Sequence, residues 1–143
     1  MASKDRPRIF LDTNVLFSAL HSRSGTPNRL DQLHVSGKLQ VVISRLVLDE
    51  LVGIVQEKLP GELPELLSLM ADSPPDIYDD PPADEAAAWT DLLDFTDATI
   101  LAAAIAAQPD YFVTGDKRFL APAIAERSGL RIVTPAQAVE RLD

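Results

Sequence analysis

Four short apolar runs punctuate the chain: RIFLD (8–12), LQVVIS (39–44), DYFVTG (110–115) and LRIVT (130–134). Each is too short for a buried helix and rich in β-branched or aromatic residues, so each reads as a strand. Stretches of helical period lie between them. Thr26 is placed to cap a helix with Pro27 at its first position, running to about Val35, where Gly37 stops it. Ser44 is placed to cap RLVLDELVGIVQEKL, and LPELLSLMA supplies a second short helix. The proline-rich SPPDIYDDPPA then reads as a loop with one edge strand near Ile77. DEAAAWTDLL, TDATILAAAIAAQ, DKRFLAPAIAER and PAQAVERL complete the helical set, with no internal repeat.

Short apolar strands alternating with helices predict a short parallel sheet covered by helices on both faces, a three-layer α/β sandwich. With 143 residues, 46% apolar and 24% charged, the whole of 1–143 is expected to form one domain. No apolar run is long enough to span a bilayer, and MASKDRPR lacks a signal peptide's apolar core, so the expected location is cytoplasmic, away from membranes. There is no cysteine and there are only two histidines, His21 and His34. A metal site in this chain must therefore rest on oxygen ligands.

The net charge of −9 argues against a nucleic-acid partner until its distribution is considered. From Glu62 to Asp97 there are 11 acidic and no basic residues, which leaves 11 acids against 13 bases elsewhere. Most of that acidic segment reads as a solvated face, and the remainder of the chain can meet a phosphate backbone.

Functional crevices in such sheets lie beyond the carboxyl ends of the strands. Asp12 closes the first strand there, and Asp116 follows the apolar part of YFVTGD. On the helix after Ser44 the stripe Val47, Leu51, Ile54, Val55 leaves Asp49 pointing away and Glu50 at the inward margin. Asp97 shares a helix face with Leu101, Ala104 and Ile105. Each acid has an ordinary explanation: Asp12 as the cap of the next helix, Asp97 as a first-turn carboxylate behind a cap at Asp94 or Thr96. Together, four carboxylates from separate segments repel one another unless a cation joins them. An all-oxygen set of this kind suits magnesium or manganese, whose chemistry is the activation of water and phosphate.

LDTN within IFLDTNVLFSAL, the following SGTP, VLDEL, DFTDATILAAAI, and DYFVTGDKRFL with RIVTPAQ together resemble the PIN domain, in particular the VapC-like toxin ribonucleases of toxin–antitoxin systems. The resemblance implies a PIN-like, Rossmann-like fold and a metal-dependent endoribonuclease. It implies Asp12, Glu50, Asp97 and Asp116 as ligands of one or two Mg2+ or Mn2+ ions. It gives Thr13, Asn14 and Thr114 the role of orienting carboxylates or contacting phosphate. It also implies a homodimer, and an antitoxin partner that inserts a basic side chain among the acids. Many relatives read Asp-Pro-x-Asp up to the third acid, whereas this chain has Asp94-Phe95-Thr96-Asp97, so Asp94 is assigned as a helix cap. Asp79 and Asp80 are assigned to an exposed loop.

RNA is the expected substrate, gripped by Lys117 and Arg118 just after Asp116, with Arg45, His21, Arg23 and Arg29 as further rim bases. Trp89, Phe95 and Tyr111 are assigned to the core. Three other readings compete. A magnesium-binding flavodoxin-like signalling module would place adjacent acids after the first strand. A haloacid dehalogenase-type phosphatase would place an acid where Asn14 stands. A non-catalytic PIN-like binding module would not need all four acids.

Overall fold

Strand β1 (Arg8–Leu11) lies at the middle of a five-stranded parallel sheet, between β2 (Gln40–Ser44) and β4 (Tyr111–Val113). The described residues of the computed structural model are 6–143; the start of MASKDRPR, read above for a leader, lies outside them. β3 (Asp76–Tyr78) flanks β2 and β5 (Ile132–Val133) flanks β4, which gives the order β3-β2-β1-β4-β5. The register places Phe10 opposite Val42 on one side and Phe112 on the other. All three are buried, and the Phe10 and Phe112 rings meet edge to face at 5.5 Å.

The strand order dictates where helices go. The chain steps outward from β1 through β2 to β3, then returns past β1 to β4 and β5. Right-handed crossovers place the helices of the outward path on one face and those of the return path on the other. The outward path carries α1 (Thr13–His21), α2 (Thr26–Val35), α3 (Arg45–Lys58), a single 3-10 turn (Pro60–Glu62) and α4 (Leu63–Asp72). The return path carries α5 (Ala83–Ala87), α6 (Phe95–Ala107), α7 (Lys117–Leu120) and α8 (Pro122–Ser128), and α9 (Pro135–Leu142) closes the chain. The three-layer sandwich read from the sequence is the observed architecture. Its direction reverses between β1 and β4, and the crevice of such a sheet opens at that reversal.

Local corrections have physical causes. Gly25, not Thr26, is the N-cap of α2, and Pro27 is the second helical residue. A proline ring is tolerated throughout a first turn, where N–H groups have no intrahelical partner, so it fixes a helix start only to within a residue. DEAAAWTDLL is not one helix: α5 ends at Ala87, and tight turns such as Leu92 N–H to the Trp89 carbonyl follow. The turns let Asp94 reach the extended conformation from which its carboxylate caps α6. DKRFLAPAIAER divides at Pro122 for the reason any proline interrupts a helix. Phe95, assigned to the core, is 53% exposed; Trp89 is buried and Tyr111 half-buried. The edge strand near Ile77 is present as β3, and most of the acidic segment is exposed.

Helix α6 is enclosed more fully than its period requires. Ala98 through Ala104 are all buried, and small alanines let it sit closely on the sheet. Its C-terminal carbonyls are held by Arg8, whose Nη1 donates to Ala107 O at 2.8 Å and Gln108 O at 3.2 Å while Nη2 donates to Tyr78 Oη at 2.6 Å. His34, also buried, fastens the other face: Nδ1 accepts from Val41 N at 3.1 Å and Nε2 donates to Ser73 O at 2.9 Å. With Nδ1 an acceptor, the proton is on Nε2. Among the described residues no helix is long and apolar enough to cross a membrane.

Candidate active site

Asp12 follows the last residue of β1 and begins α1, so a strand buried on both faces delivers a carboxylate to the switch point. It is only 4% exposed. One oxygen, Oδ1, caps α1 by accepting from Val15 N at 3.1 Å; the other accepts the Thr114 hydroxyl hydrogen in a short bond. The cap and the site residue are therefore the same carboxylate. Burial pushes its pKa up, partly opposed by the bonds from Thr114 and Val15, and Asp116 pushes it further.

Thr114, fully buried just past β4, holds both strand ends together: its Oγ1 donates to Asp12 and accepts from Asp116 N at 3.0 Å. Across the crevice, Thr13 Oγ1 donates to Glu50 Oε1 at 2.7 Å, tying α1 to α3. Ser44 caps α3 as the sequence indicates, Asp49 is exposed, and Glu50 is half-buried. Thus Thr13 and Thr114 orient two of the acids. Asn14 is exposed, and no side-chain bond links it to them.

Asp97 comes from the first turn of α6, where its own N–H donates to the Asp94 cap at 2.8 Å. Its side chain is 13% exposed. Burial raises its pKa; Arg118 opposes this, while Asp94, Asp116 and Glu50 add to it. Asp116 behaves oppositely, held low chiefly by hydrogen bonds from Arg118. These mutual effects place Asp97, Asp116 and Glu50 within one field, and link Asp116 to Asp12.

Arg118 is the residue whose position the sequence does not give. Its Nε and Nη2 donate to Asp116 at 3.1 and 2.7 Å, and its Nη1 lies 2.8 Å from Asp97 Oδ2 and 3.7 Å from Asp94 Oδ2. It touches the acids instead of standing beside them as a phosphate grip. Asp94 is the cap assigned to it and also lends charge to Arg118. The available signal is local: an aspartate capping a helix, with arginine two residues on, folds the guanidinium back through the Arg118 N–H bond to Asp116 Oδ1 at 2.9 Å.

Three of the other rim bases are committed elsewhere. Arg29 pairs with Asp143 at 2.6 Å, Arg23 pairs with Glu65, and His21 stacks on Phe17. Arg45 and Lys117 are exposed. Asp80 accepts from Leu46 N at 3.0 Å, a loop anchor outside the cluster, and Asp79 is exposed. A cavity of about 290 Å³, lined by residues such as Leu16, Leu20, Leu66 and Met70, contains none of the four acids.

Two observations bear on whether these residues fit a divalent ion. The donor set is entirely carboxylate and hydroxyl oxygen, and Asp97 Oδ2 is buried with no aligned hydrogen bond despite its proximity to Arg118. As the side chains lie, no three acidic or histidine groups among the described residues are close enough to share one ion. Arg118 lies between two of them, paired with both Asp97 and Asp116. The set fits in its chemistry and needs a side-chain rearrangement in its geometry.

A doubly wound parallel sheet with Asp12 and Asp116 following the two strands at its switch point defines the class. The chain belongs to the PIN domain family, which matches residues 8–118, a span containing all four acids. Solved structures agree in fold. PAE2754 from Pyrobaculum aerophilum has a TM-score of 0.70 at 17% identity, covering 99% of this chain and 96% of that one. A toxin–antitoxin complex from Klebsiella pneumoniae gives 0.66 at 20% identity, covering 89% and 97%. VapC20 of Mycobacterium tuberculosis, a sarcin-ricin loop cleaving toxin, gives 0.61 at 22% identity, covering 79% and 93%. No curated protein matches the chain.

Proposed function

We propose that this chain is a metal-dependent endoribonuclease, the toxin of a toxin–antitoxin pair. The observation that carries the reading is that Asp12, Glu50, Asp97 and Asp116, borne on four separate segments, lie near enough for Asp97 to feel Glu50 and Asp116 and for Asp12 to feel Asp116. Membership of the PIN family supports it, as does likeness in fold to a toxin that cleaves RNA. The four acids would hold one or two Mg2+ or Mn2+ ions. When bound, such an ion supplies charge neutralisation at a phosphate and a more acidic water.

The chain's own contribution is positioning. Thr114 fixes the rotamer of Asp12, Thr13 fixes Glu50, and the Asp94 cap sets the first turn that carries Asp97. Preorganised acids of this kind lower the reorganisation required when charge develops. Lys117, exposed on α7 at the rim, is the base that would meet RNA phosphates, and Arg118 would join it only on leaving Asp116 and Asp97. An in-line attack by water needs no side-chain nucleophile.

An antitoxin partner is part of the reading. Among the solved structures similar in fold are toxin–antitoxin complexes from Klebsiella pneumoniae and Rickettsia felis. Arg118 demonstrates that the acids accommodate a guanidinium, the group an antitoxin arginine would bring. A cytoplasmic location and a homodimer complete the reading; light scattering giving only a monomer at micromolar concentration contradicts the dimer.

The experiment incubates the purified chain with structured and single-stranded RNA in Mg2+, Mn2+ or EDTA. Cleavage with either ion and none in EDTA is the expected result. Equal cleavage in EDTA, or cleavage only with zinc, contradicts it, since no thiolate is present to favour zinc.

A further inference from the structure

Two of the four proposed ligands are already bridged by a cation that belongs to the chain. Arg118 forks onto Asp116 through Nε and Nη2 at 3.1 and 2.7 Å and reaches Asp97 Oδ2 through Nη1 at 2.8 Å. Asp116 follows β4 and Asp97 begins α6, so one guanidinium joins two elements.

Its hold is incomplete. The Arg118 side chain is 59% exposed, and its approach to Asp97 Oδ2 is not aligned as a hydrogen bond, leaving that buried oxygen without one. The fork on Asp116 is well directed but exposed to solvent screening, and the reach to Asp97 is poorly directed, so the arm can exchange with another cation. A divalent ion at these acids would draw on the same two carboxylates, in competition with the guanidinium already on them.

We propose that Arg118 is the resident counter-ion of the acid cluster, competing with the divalent cation for Asp116 and Asp97 so that its departure sets the apparent metal affinity. This rests on the metal-dependent reading above. Where a binding-competent arrangement is only partly populated, the apparent dissociation constant rises by the inverse of that fraction. For a half-exposed bridging pair the effect is roughly three- to ten-fold.

The test is calorimetric titration of Mn2+ into the full chain, as wild type, Arg118→Gln and Arg118→Lys, with no RNA present. Arg118→Gln is expected to bind Mn2+ roughly three- to ten-fold more tightly than wild type. Arg118→Lys, which keeps the charge but loses the fork, should fall between them. If Arg118→Gln does not fold by circular dichroism, Arg118→Lys carries the comparison, tighter binding supporting competition. Binding by all three with equal or weaker affinity in the variants overturns the competition and leaves the metal reading standing. No Mn2+ binding by any of them overturns both.

Discussion

Asp12→Asn separates the cost of this carboxylate from its use. In the metal-free protein Asp12 is buried, its pKa is raised chiefly by that burial, and Asp116 adds repulsion. A carboxyl held above its ordinary value and ionised at neutral pH destabilises the fold. Asparagine keeps an oxygen for Val15 N, and as an N-cap it equals aspartate, so the start of α1 survives. With that oxygen on Val15 N, the amide NH2 stands where Oδ2 accepted from Thr114, so the Thr114 hydroxyl loses its acceptor and the contact survives only with its direction reversed, a loss on the order of 1 kcal/mol. Relief of burial and repulsion outweighs that loss by about 1 kcal/mol, because burial is the largest influence on this group. For 143 residues the unfolding entropy is roughly 0.3 kcal/mol/K, so in EDTA the variant should melt about 3 °C above wild type. In Mg2+ at 100 times its dissociation constant, wild type gains about 2.7 kcal/mol, or roughly 9 °C, most of which the variant forgoes. The order of melting then reverses. Thermal melts of both proteins by circular dichroism, with EDTA and with Mg2+, measure this. A variant less stable in both conditions would refute the reasoning, showing that the charge of Asp12 is worth more to its hydrogen bonds than burial takes away.

Away from the acids, Asp31 on α2 has its pKa raised by burial, with His34 opposing. Its contribution to stability is therefore present below the ordinary aspartate range and lost as pH rises through the raised value. Asp31→Asn should melt higher than wild type at pH 7 and equally near pH 3; an unchanged or lower melting temperature at pH 7 contradicts this. His34→Ala should lower stability by about 2–3 kcal/mol in urea denaturation, since it deletes two bonds and leaves the Val41 N–H buried without a partner. A loss below about 0.5 kcal/mol, the range of surface substitutions, would show that His34 fastens nothing. Phe95→Ala should leave stability within about 0.5 kcal/mol, as its exposure requires; a core-sized loss in the same assay would return Phe95 to the interior.

The sheet was legible because its strands are apolar on both faces and bounded by turn residues, as in RIFLD and LQVVIS. All four candidate acids were assigned from position: Asp12 and Asp116 from strand ends, Glu50 from its angle to the α3 stripe, and Asp97 from the helix face it shares with Leu101, Ala104 and Ile105. Asp97 was harder to read, because α6 is buried over most of its surface and its period marks no single face. Ser44 and Asp94 could be read as caps, since the chemistry of a cap is local. Phe95 misled because aromatic residues are usually inside, whereas this one is the first residue of α6, just after its cap, and faces outward. The Thr13–Glu50 and Thr114–Asp12 bonds join residues 37 and 102 apart, which no periodicity can register. The family resemblance marked those threonines; the pairing came only with the fold. Arg118 was read as a rim base by its place after Asp116, and nothing in local sequence announced that it would also reach Asp97 on another element.

The central claim is that the acid cluster performs RNA hydrolysis, and its most direct measurement is single-turnover cleavage of end-labelled RNA in saturating Mg2+ by wild type beside Asp12→Asn. Circular dichroism establishes that both proteins are folded. Cleavage by wild type with a loss of roughly a hundred-fold or more in the variant is predicted, the scale of removing a group that stabilises charge in the transition state. Equal rates from the two folded proteins would contradict the claim.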